Sequence, residues 1–284
     1  MRHAVLGLGG IGGLLAAALA RSGVSCAVLL RPETLAGYPG RITVESAVLG
    51  DFEVEVPASH KLDRQVDVLW IATKATQLEQ ALTLAPQAIV GEATVIPILN
   101  GIDHLELLRG RYPNVVAAAI RVESERLPPA QIHQRSPFLR VELAGAEAVA
   151  LELRGAGIEC QTRDDERTLL WDKLAFLAPI ALTTSALDSQ LGDARHDRRF
   201  NDCRDEALAI ARAEGATVDE AALIALQQAA PGEMRSSMQK DVAGGREPEL
   251  DAIAGPIIRG GLRHSISVPA TEELAKAVAA RGSR

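Results

Sequence analysis

Short apolar runs punctuated by small and polar residues fill the first part of the chain, and a helical period takes over beyond it. His3-Ala4-Val5-Leu6 predicts a strand that runs directly into Gly7-Leu8-Gly9-Gly10-Ile11-Gly12-Gly13, with a helix over Leu14 to Ser22 and a second strand over Ser25 to Leu30. Val66 to Thr73 predicts a buried strand, Gln77 to Leu84 a helix, and Ala93 to Leu99 a further strand ending at Asn100-Gly101. A helix over Ile102 to Arg109 and a strand over Val115 to Ile120 follow. Leu127-Pro128-Pro129 marks a turn; Gln131-Ile132-His133 and Phe138 to Leu143 are expected to form a strand pair; Glu147 to Arg154 is helical; and Gly157 to Gln161 is a short closing strand. Strand, helix and strand in repetition up to Asn100-Gly101 predict a parallel, doubly wound sheet, and the pattern is less regular beyond Ile120.

A charged cluster, Arg163-Asp164-Asp165-Glu166-Arg167, interrupts this rhythm. Beyond it the pattern predicts helices at 165–187, 197–214, 218–228, 231–243, 249–264 and 270–281, with turns at Gly192-Asp193, Gly215, Pro231-Gly232 and Gly244-Gly245. The expected organisation is an α/β domain over 1–163 and an all-α domain over 164–284, with any active site in the cleft between them.

Composition narrows the function classes. At 284 residues, 47% hydrophobic and 24% charged, the chain can bury two cores in water, and no apolar run is long enough to span a bilayer. A net charge of −7 argues against a nucleic-acid partner. Cys26, Cys160 and Cys203 form no C-x-x-C pair, which fits a reducing, cytoplasmic setting, and the six histidines show no metal-ligand spacing. No metal and no membrane are expected. Aromatic residues are only 3%, so no aromatic patch marks an interface, and a homodimer through the helical domain is the expected assembly.

Gly7-x-Gly9-x-x-Gly12 follows a strand and opens a helix, the context of a Rossmann-type dinucleotide fingerprint. The first glycine makes the tight turn, the second admits a pyrophosphate, and the third packs helix on strand. The free N–H groups of Gly10, Ile11 and Gly12 would face the phosphates. Arg31 follows the second strand, where an acidic side chain would hold the ribose 2′-hydroxyl of NAD and a guanidinium can pair with a 2′-phosphate. NADP(H) is therefore the expected cofactor. A small-residue turn packing helix on strand, with Arg31 merely solvated, is the bland alternative.

Two segments of the second half could carry chemistry. Lys173 precedes a stretch, Leu174 to Leu182, without a polar side chain, so that helix is buried all round. At its margin Lys173 either snorkels to solvent or points into a cleft as a general acid. Farther on, Gly244-Gly245 turns the chain after Ser237-Met238-Gln239-Lys240-Asp241, and Pro248 can start a helix with Glu249 in its first turn. Glu249 is either a helix-start carboxylate with no other task or a substrate ligand.

These residues together resemble the ketopantoate reductase (2-dehydropantoate 2-reductase) family over essentially the whole chain. Gly7-x-Gly9-x-x-Gly12, Arg31, Lys74-Ala75-x-Gln77 and Asn100-Gly101 fall where that family has its cofactor residues. Lys173-Leu174 and Ser237-Met238-x-x-Asp241…Gly245-Arg246-x-x-Glu249 resemble its catalytic and substrate segments.

The resemblance implies NADPH-dependent reduction of 2-dehydropantoate or a related 2-oxo acid. Lys173 would protonate the carbonyl oxygen, Glu249 would hold the substrate hydroxyl, and Ser237 would help bind its carboxylate. Arg31 would grip the 2′-phosphate, while Lys74 and Asn100 would contact the cofactor's sugars, Asn100 also bordering the reacting centre. Departures from the family pattern open the substrate question. Leu177 and Ala181 stand where the family has asparagines, Pro179 lies between them and should kink the helix, and Pro248 replaces a polar residue. A homologue redirected to a more apolar carbonyl or imine is the alternative within enzymes. A non-catalytic NADP-binding sensor is the alternative outside them, and retention of both Lys173 and Glu249 weighs against it.

Overall fold

Strand β1 (Arg2–Leu6) is apolar on both faces: Val5 enters one core, while Ala4 and Leu6 enter another. A strand buried on both sides belongs at the centre of a covered parallel sheet, and β1 lies there. The computed structural model describes residues 1–282. Parallel strands β2 (Ser25–Leu29), β5 (Ala58–Ser59), β6 (Val68–Ile71) and β7 (Thr94–Pro97) complete a sheet in the order β5-β2-β1-β6-β7. Neighbours β2 and β6 flank β1, so the connection reverses direction at the carboxyl end of β1, where the glycine loop sits.

Two compact units divide the chain. The first comprises Met1–Leu99 and His104–Glu166; the second comprises Asn100–Asp103 and everything from Arg167. Besides the parallel sheet, the first unit has helices α1 (Gly10–Arg21), α2 (Pro32–Ala36), α3 (Leu78–Leu82), α4 (Gln87–Val90), α5 (His104–Arg109) and α6 (Glu147–Gly155). It also contains two mixed sheets, which take up the 41–55 segment and the less regular stretch that follows the parallel strands. One runs β4 (Phe52–Glu55), β3 (Arg41–Ser46), β10 (Gln131–Gln134), β9 (Ser124–Leu127); the other runs β12 (Glu159–Thr162), β11 (Arg140–Leu143), β8 (Ala118–Arg121).

The expected pairing of residues 131–133 with 138–143 is therefore wrong. Instead β10 pairs with β3 and β9, and β11 with β8 and β12. Polar side chains turn the chain between them: Gln134 Nε2 donates to Ser136 Oγ at 2.9 Å, and Ser46 Oγ donates to Gln134 Oε1 at 2.6 Å. The hairpin of β3 and β4 escaped the pattern reading, although Ile42, Val44 and Ser46 alternate inward at a strand period. Helix α1 also starts earlier than Leu14, because the glycines themselves form its first turn.

The second unit is helical: α7 (Glu166–Leu187), α8 (Leu191–Ala194), α9 (Arg198–Ala213), α10 (Glu220–Ala229), α11 (Ser237–Ala243), α12 (Leu250–His264) and α13 (Pro269–Gly282). The helix expected from residue 231 begins only at Ser237. Ser236 caps it by accepting from Gln239 N at 3.1 Å, and Gly232 O is used to accept from Gly192 N at 2.7 Å.

Helices α7 and α12 each contain an internal proline, and each freed carbonyl has a defined neighbour. Pro179 deprives the Ala175 carbonyl of its helical donor, and the buried Gln227 of α10 replaces it, with Nε2 donating to Ala175 O at 3.3 Å and Phe176 O at 3.1 Å. In α12, Pro256 leaves Ala252 without its donor. Gly101, at φ +84°, lies so close that a Cβ there would sit 2.3 Å from Ala252 O. Asn100-Gly101 is thus more than a turn dipeptide, since no larger residue fits at Gly101.

Candidate active site

In the first unit the glycine loop is shaped by what it excludes. Gly7 has φ +104°, and a Cβ would lie 3.0 Å from Ala72 O; at Gly12 it would lie 2.2 Å from Gly7 O and 2.8 Å from the Ala72 Cβ. The start of α1 is therefore pressed against the ends of β1 and β6. Gly10 answers a different demand, because a Cβ there would strike the Ser124 carbonyl at 2.3 Å, and Ser124 Oγ donates to Gly10 O at 3.0 Å. At Gly9, the N-cap, the nearest atom is 3.9 Å away, so this side of the loop is open. Being a glycine, Gly9 brings no side chain to the first-turn N–H groups, which include those of Gly10, Ile11 and Gly12.

Arg31 is exposed just past β2, with Nε 3.3 Å from Glu33 Oε1, and Lys74 is half-buried past β6. Between β6 and Lys74 the buried Thr73 Oγ1 has no hydrogen-bond partner. An open glycine cradle, a helix start rich in N–H groups and an unpartnered hydroxyl suit a dinucleotide. Among the described residues, no group of three or more His, Cys, Asp or Glu could hold a metal ion.

The second unit contains a small pocket, open to solvent, lined by Asn100, Leu177, Ala181, Ser237, Met238, Asp241, Glu249 and Ile253. Each element contributes by helical spacing. Leu177 and Ala181 are one turn apart on α7, Ser237 and Asp241 one turn apart on α11, and Ile253 follows Glu249 by one turn on α12. Asn100 Nδ2 donates to Glu249 Oε2 at 3.3 Å, which fixes the carboxylate at the N-cap of α12. Asp241, 8% exposed, is held by Arg246 Nε at 2.8 Å, and its carbonyl accepts from Arg246 N at 2.8 Å. This double grip closes the Gly244-Gly245 turn and so sets where Glu249 begins its helix.

The structure thus brings together Asn100, Ser237 and Glu249, three of the residues singled out in the sequence. Lys173 is not among the lining residues. It is half-buried on α7, one turn before Leu177 and on the same stripe as Leu177 and Ala181. Glu33 and Gln227 were missed by sequence reasoning. An acidic residue two places after Arg31 was a legible signal; the partnership of Gln227 with Pro179 was not, because it joins different helices.

Residues 3–144 match the family Ketopantoate reductase PanE/ApbA, and residues 165–282 match Ketopantoate reductase PanE/ApbA C terminal. The chain belongs to the ketopantoate reductase family. This family member is an oxidoreductase by that membership, 31% identical over 295 residues to the 2-dehydropantoate 2-reductase of Mycobacterium tuberculosis, with 98% of this chain and 96% of that one covered. Among solved structures, the PanE/ApbA family ketopantoate reductase of Ralstonia eutropha JMP134 superposes with a TM-score of 0.89 at 25% identity, covering 100% of this chain and 99% of the other. D-mandelate dehydrogenase, solved with NADH and anilino(oxo)acetate, shares the fold at a TM-score of 0.88 and 22% identity over 100% of this chain and 99% of that one. Among the described residues of this ketopantoate reductase family chain, no helix is long and apolar enough to cross a membrane.

Proposed function

We propose that the chain reduces the carbonyl of a small 2-oxo acid at the expense of NADPH, with 2-dehydropantoate to pantoate, a step of pantothenate synthesis in the cytoplasm, as the leading reaction. The observation that carries this reading is the meeting of Asn100, Ser237 and Glu249 in one pocket beside the stripe of α7 that bears Lys173. Gly7, Gly9, Gly10, Ile11 and Gly12 would hold the pyrophosphate, Arg31 the 2′-phosphate, and Lys74 and Asn100 the sugars. NADPH, when bound, supplies the hydride. Lys173 gives its ammonium proton to the carbonyl oxygen as the carbonyl carbon gains the C–H bond; the C=O π bond breaks, an alcohol forms, and the neutral lysine is reprotonated from water. Ser237 binds the carboxylate, and Glu249, steadied by Asn100, accepts from the substrate hydroxyl.

The pocket wall favours a second substrate within the same chemistry. Leu177, Ala181, Met238 and Ile253 are apolar, and neither Leu177 nor Ala181 can donate to a polar substrate group. A 2-oxo acid with an apolar branch suits that wall, in keeping with D-mandelate dehydrogenase on the same fold. Steady-state NADPH oxidation with ketopantoate beside 2-oxoisovalerate and phenylglyoxylate separates the readings. Saturable turnover of ketopantoate at ordinary efficiency supports the first. Preference for the apolar acids, shifted about tenfold toward ketopantoate by Leu177→Asn, supports the second. Turnover of none of them overturns both. A homodimer is the proposed assembly, since Leu226 (56%) and Leu262 (77%) are exposed on the helical unit, and size-exclusion chromatography tests it.

A further inference from the structure

We infer that Glu33 is a cofactor-selecting residue set against Arg31, and that the pair opens the nucleotide site to dinucleotides without a 2′-phosphate as well as to those that carry one. The inference rests on reading the glycine cradle as a dinucleotide site.

Arg31 is the second residue past β2, and Pro32 occupies the first turn of α2 directly after it. That tight start brings Glu33 back toward Arg31, with Nε and Oε1 3.3 Å apart. Both side chains stand in water, 47% and 67% exposed, so the carboxylate is available to an incoming ligand rather than consumed in a core. The contact uses Nε and leaves the two Nη groups of Arg31 without a hydrogen bond among the described residues.

After the second strand of this kind of unit, an acidic side chain accepts from the ribose 2′-hydroxyl, whereas a guanidinium pairs with a 2′-phosphate. Here both stand within one ion pair. A 2′-phosphate carries between one and two negative charges, so drawing it onto Arg31 also brings it beside the Glu33 carboxylate. In water, like charges about 5–6 Å apart retain a repulsion worth roughly three- to tenfold in affinity, and salt reduces it. For a dinucleotide with a free 2′-hydroxyl the same carboxylate is an acceptor. Glu33 therefore subtracts from the phosphate preference that Arg31 creates and adds to binding of the unphosphorylated form.

The test is direct binding to the whole chain by fluorescence or calorimetric titration, with NADPH, NADH, 2′,5′-ADP and 5′-AMP as probes, for the wild type, Glu33→Gln and Arg31→Ala. Circular dichroism verifies the fold. The wild type should bind NADPH and NADH within about tenfold of each other. Glu33→Gln should tighten NADPH and 2′,5′-ADP by about three- to tenfold, weaken NADH, and lose its effect as salt rises. Arg31→Ala should weaken only the phosphorylated probes. An unchanged NADPH to NADH ratio in Glu33→Gln overturns the inference while leaving the nucleotide site standing. Weaker NADPH binding in that variant overturns it too, by making Glu33 a support for Arg31. Binding of neither dinucleotide by the wild type overturns the dinucleotide reading and the inference with it.

Discussion

The glycine loop of the first unit and the pocket of the second are built from opposite materials. At Gly7 and Gly12 the first is defined by side chains that are missing, and a single Cβ at Gly12 would reach within 2.2 Å of a backbone carbonyl. The pocket is defined by side chains that are present, on α7, α11, α12 and the Asn100 segment. A backbone cradle has few ways to change and still fold, so it keeps its ligand. A side-chain pocket can exchange Leu177 or Ala181 for another residue without moving a helix, which lets its ligand drift. The fold can thus preserve its nucleotide while its substrate is revised.

The largest expected effect separates chemistry from nucleotide binding. Lys173→Ala should lower kcat by about 10²-fold or more while NADPH affinity, measured by titration, stays the same. Should nucleotide affinity fall as far as turnover, the division between cradle and pocket is wrong. Next comes the reverse case. Gly12→Val should abolish nucleotide binding and cost about 3 kcal/mol in urea unfolding, since neither the Gly7 carbonyl nor the Ala72 side chain can retreat without moving a strand end.

A third experiment sharpens the comparison inside the helical unit, where a side chain does a backbone's work. Gln227→Leu should cost about 2 kcal/mol by stranding the Ala175 carbonyl, which Pro179 leaves without a helical donor. Combined with Pro179→Ala, which restores a helical donor, most of that loss should vanish in a double-mutant cycle. Additive losses would mean that Gln227 acts through packing alone.

The smallest effect lies at the far end of β1 from the glycine loop. His3 is buried; its Nδ1 accepts from Trp70 Nε1 at 2.9 Å, so its proton sits on Nε2, which meets Glu152 Oε2 at 2.6 Å. Burial holds its pKa below the usual 6.5, against the opposing pull of Glu152. The unfolded chain therefore takes up the proton first. Stability from this site is complete above about pH 6.5 and is lost as the pH falls below that value toward the folded pKa. Urea midpoints of the wild type should drop between pH 7.5 and 5.5 more than those of His3→Gln, while nucleotide affinity is the same in the two proteins.

What could be read from the sequence followed from how local its cause was. Gly7, Gly9 and Gly12 announced the cradle because sterics between adjacent residues dictate their spacing. The long helices of the second unit followed from their apolar period, Ser237 and Glu249 from a segment of composition peculiar to one family, and Asn100 from its place after a strand. Partners brought from afar stayed hidden. Residues 131–134 pair with 41–46, a strand the apolar pattern passed over because its outward positions are polar. The need for glycine at 101 comes from the Ala252 backbone of α12 lying against it, and the Ala175 carbonyl that Pro179 frees is met by Gln227 of α10. Glu33 was visible in the sequence, but only its distance from Arg31 gives it a meaning.

The short stretch Asn100–Asp103 belongs to the helical unit although both of its flanks belong to the other. Gly101 lies against Ala252, Ile102 packs on the helical core, and Asp103 Oδ2 accepts from Arg259 Nε at 3.1 Å. The chain accordingly passes from one unit to the other three times, at 99/100, 103/104 and 166/167. No single scissile point yields two intact halves. A fragment begun at 167 would lack Asn100 and the contacts around it, and gene fusion or domain exchange in this lineage would have to carry both pieces at once.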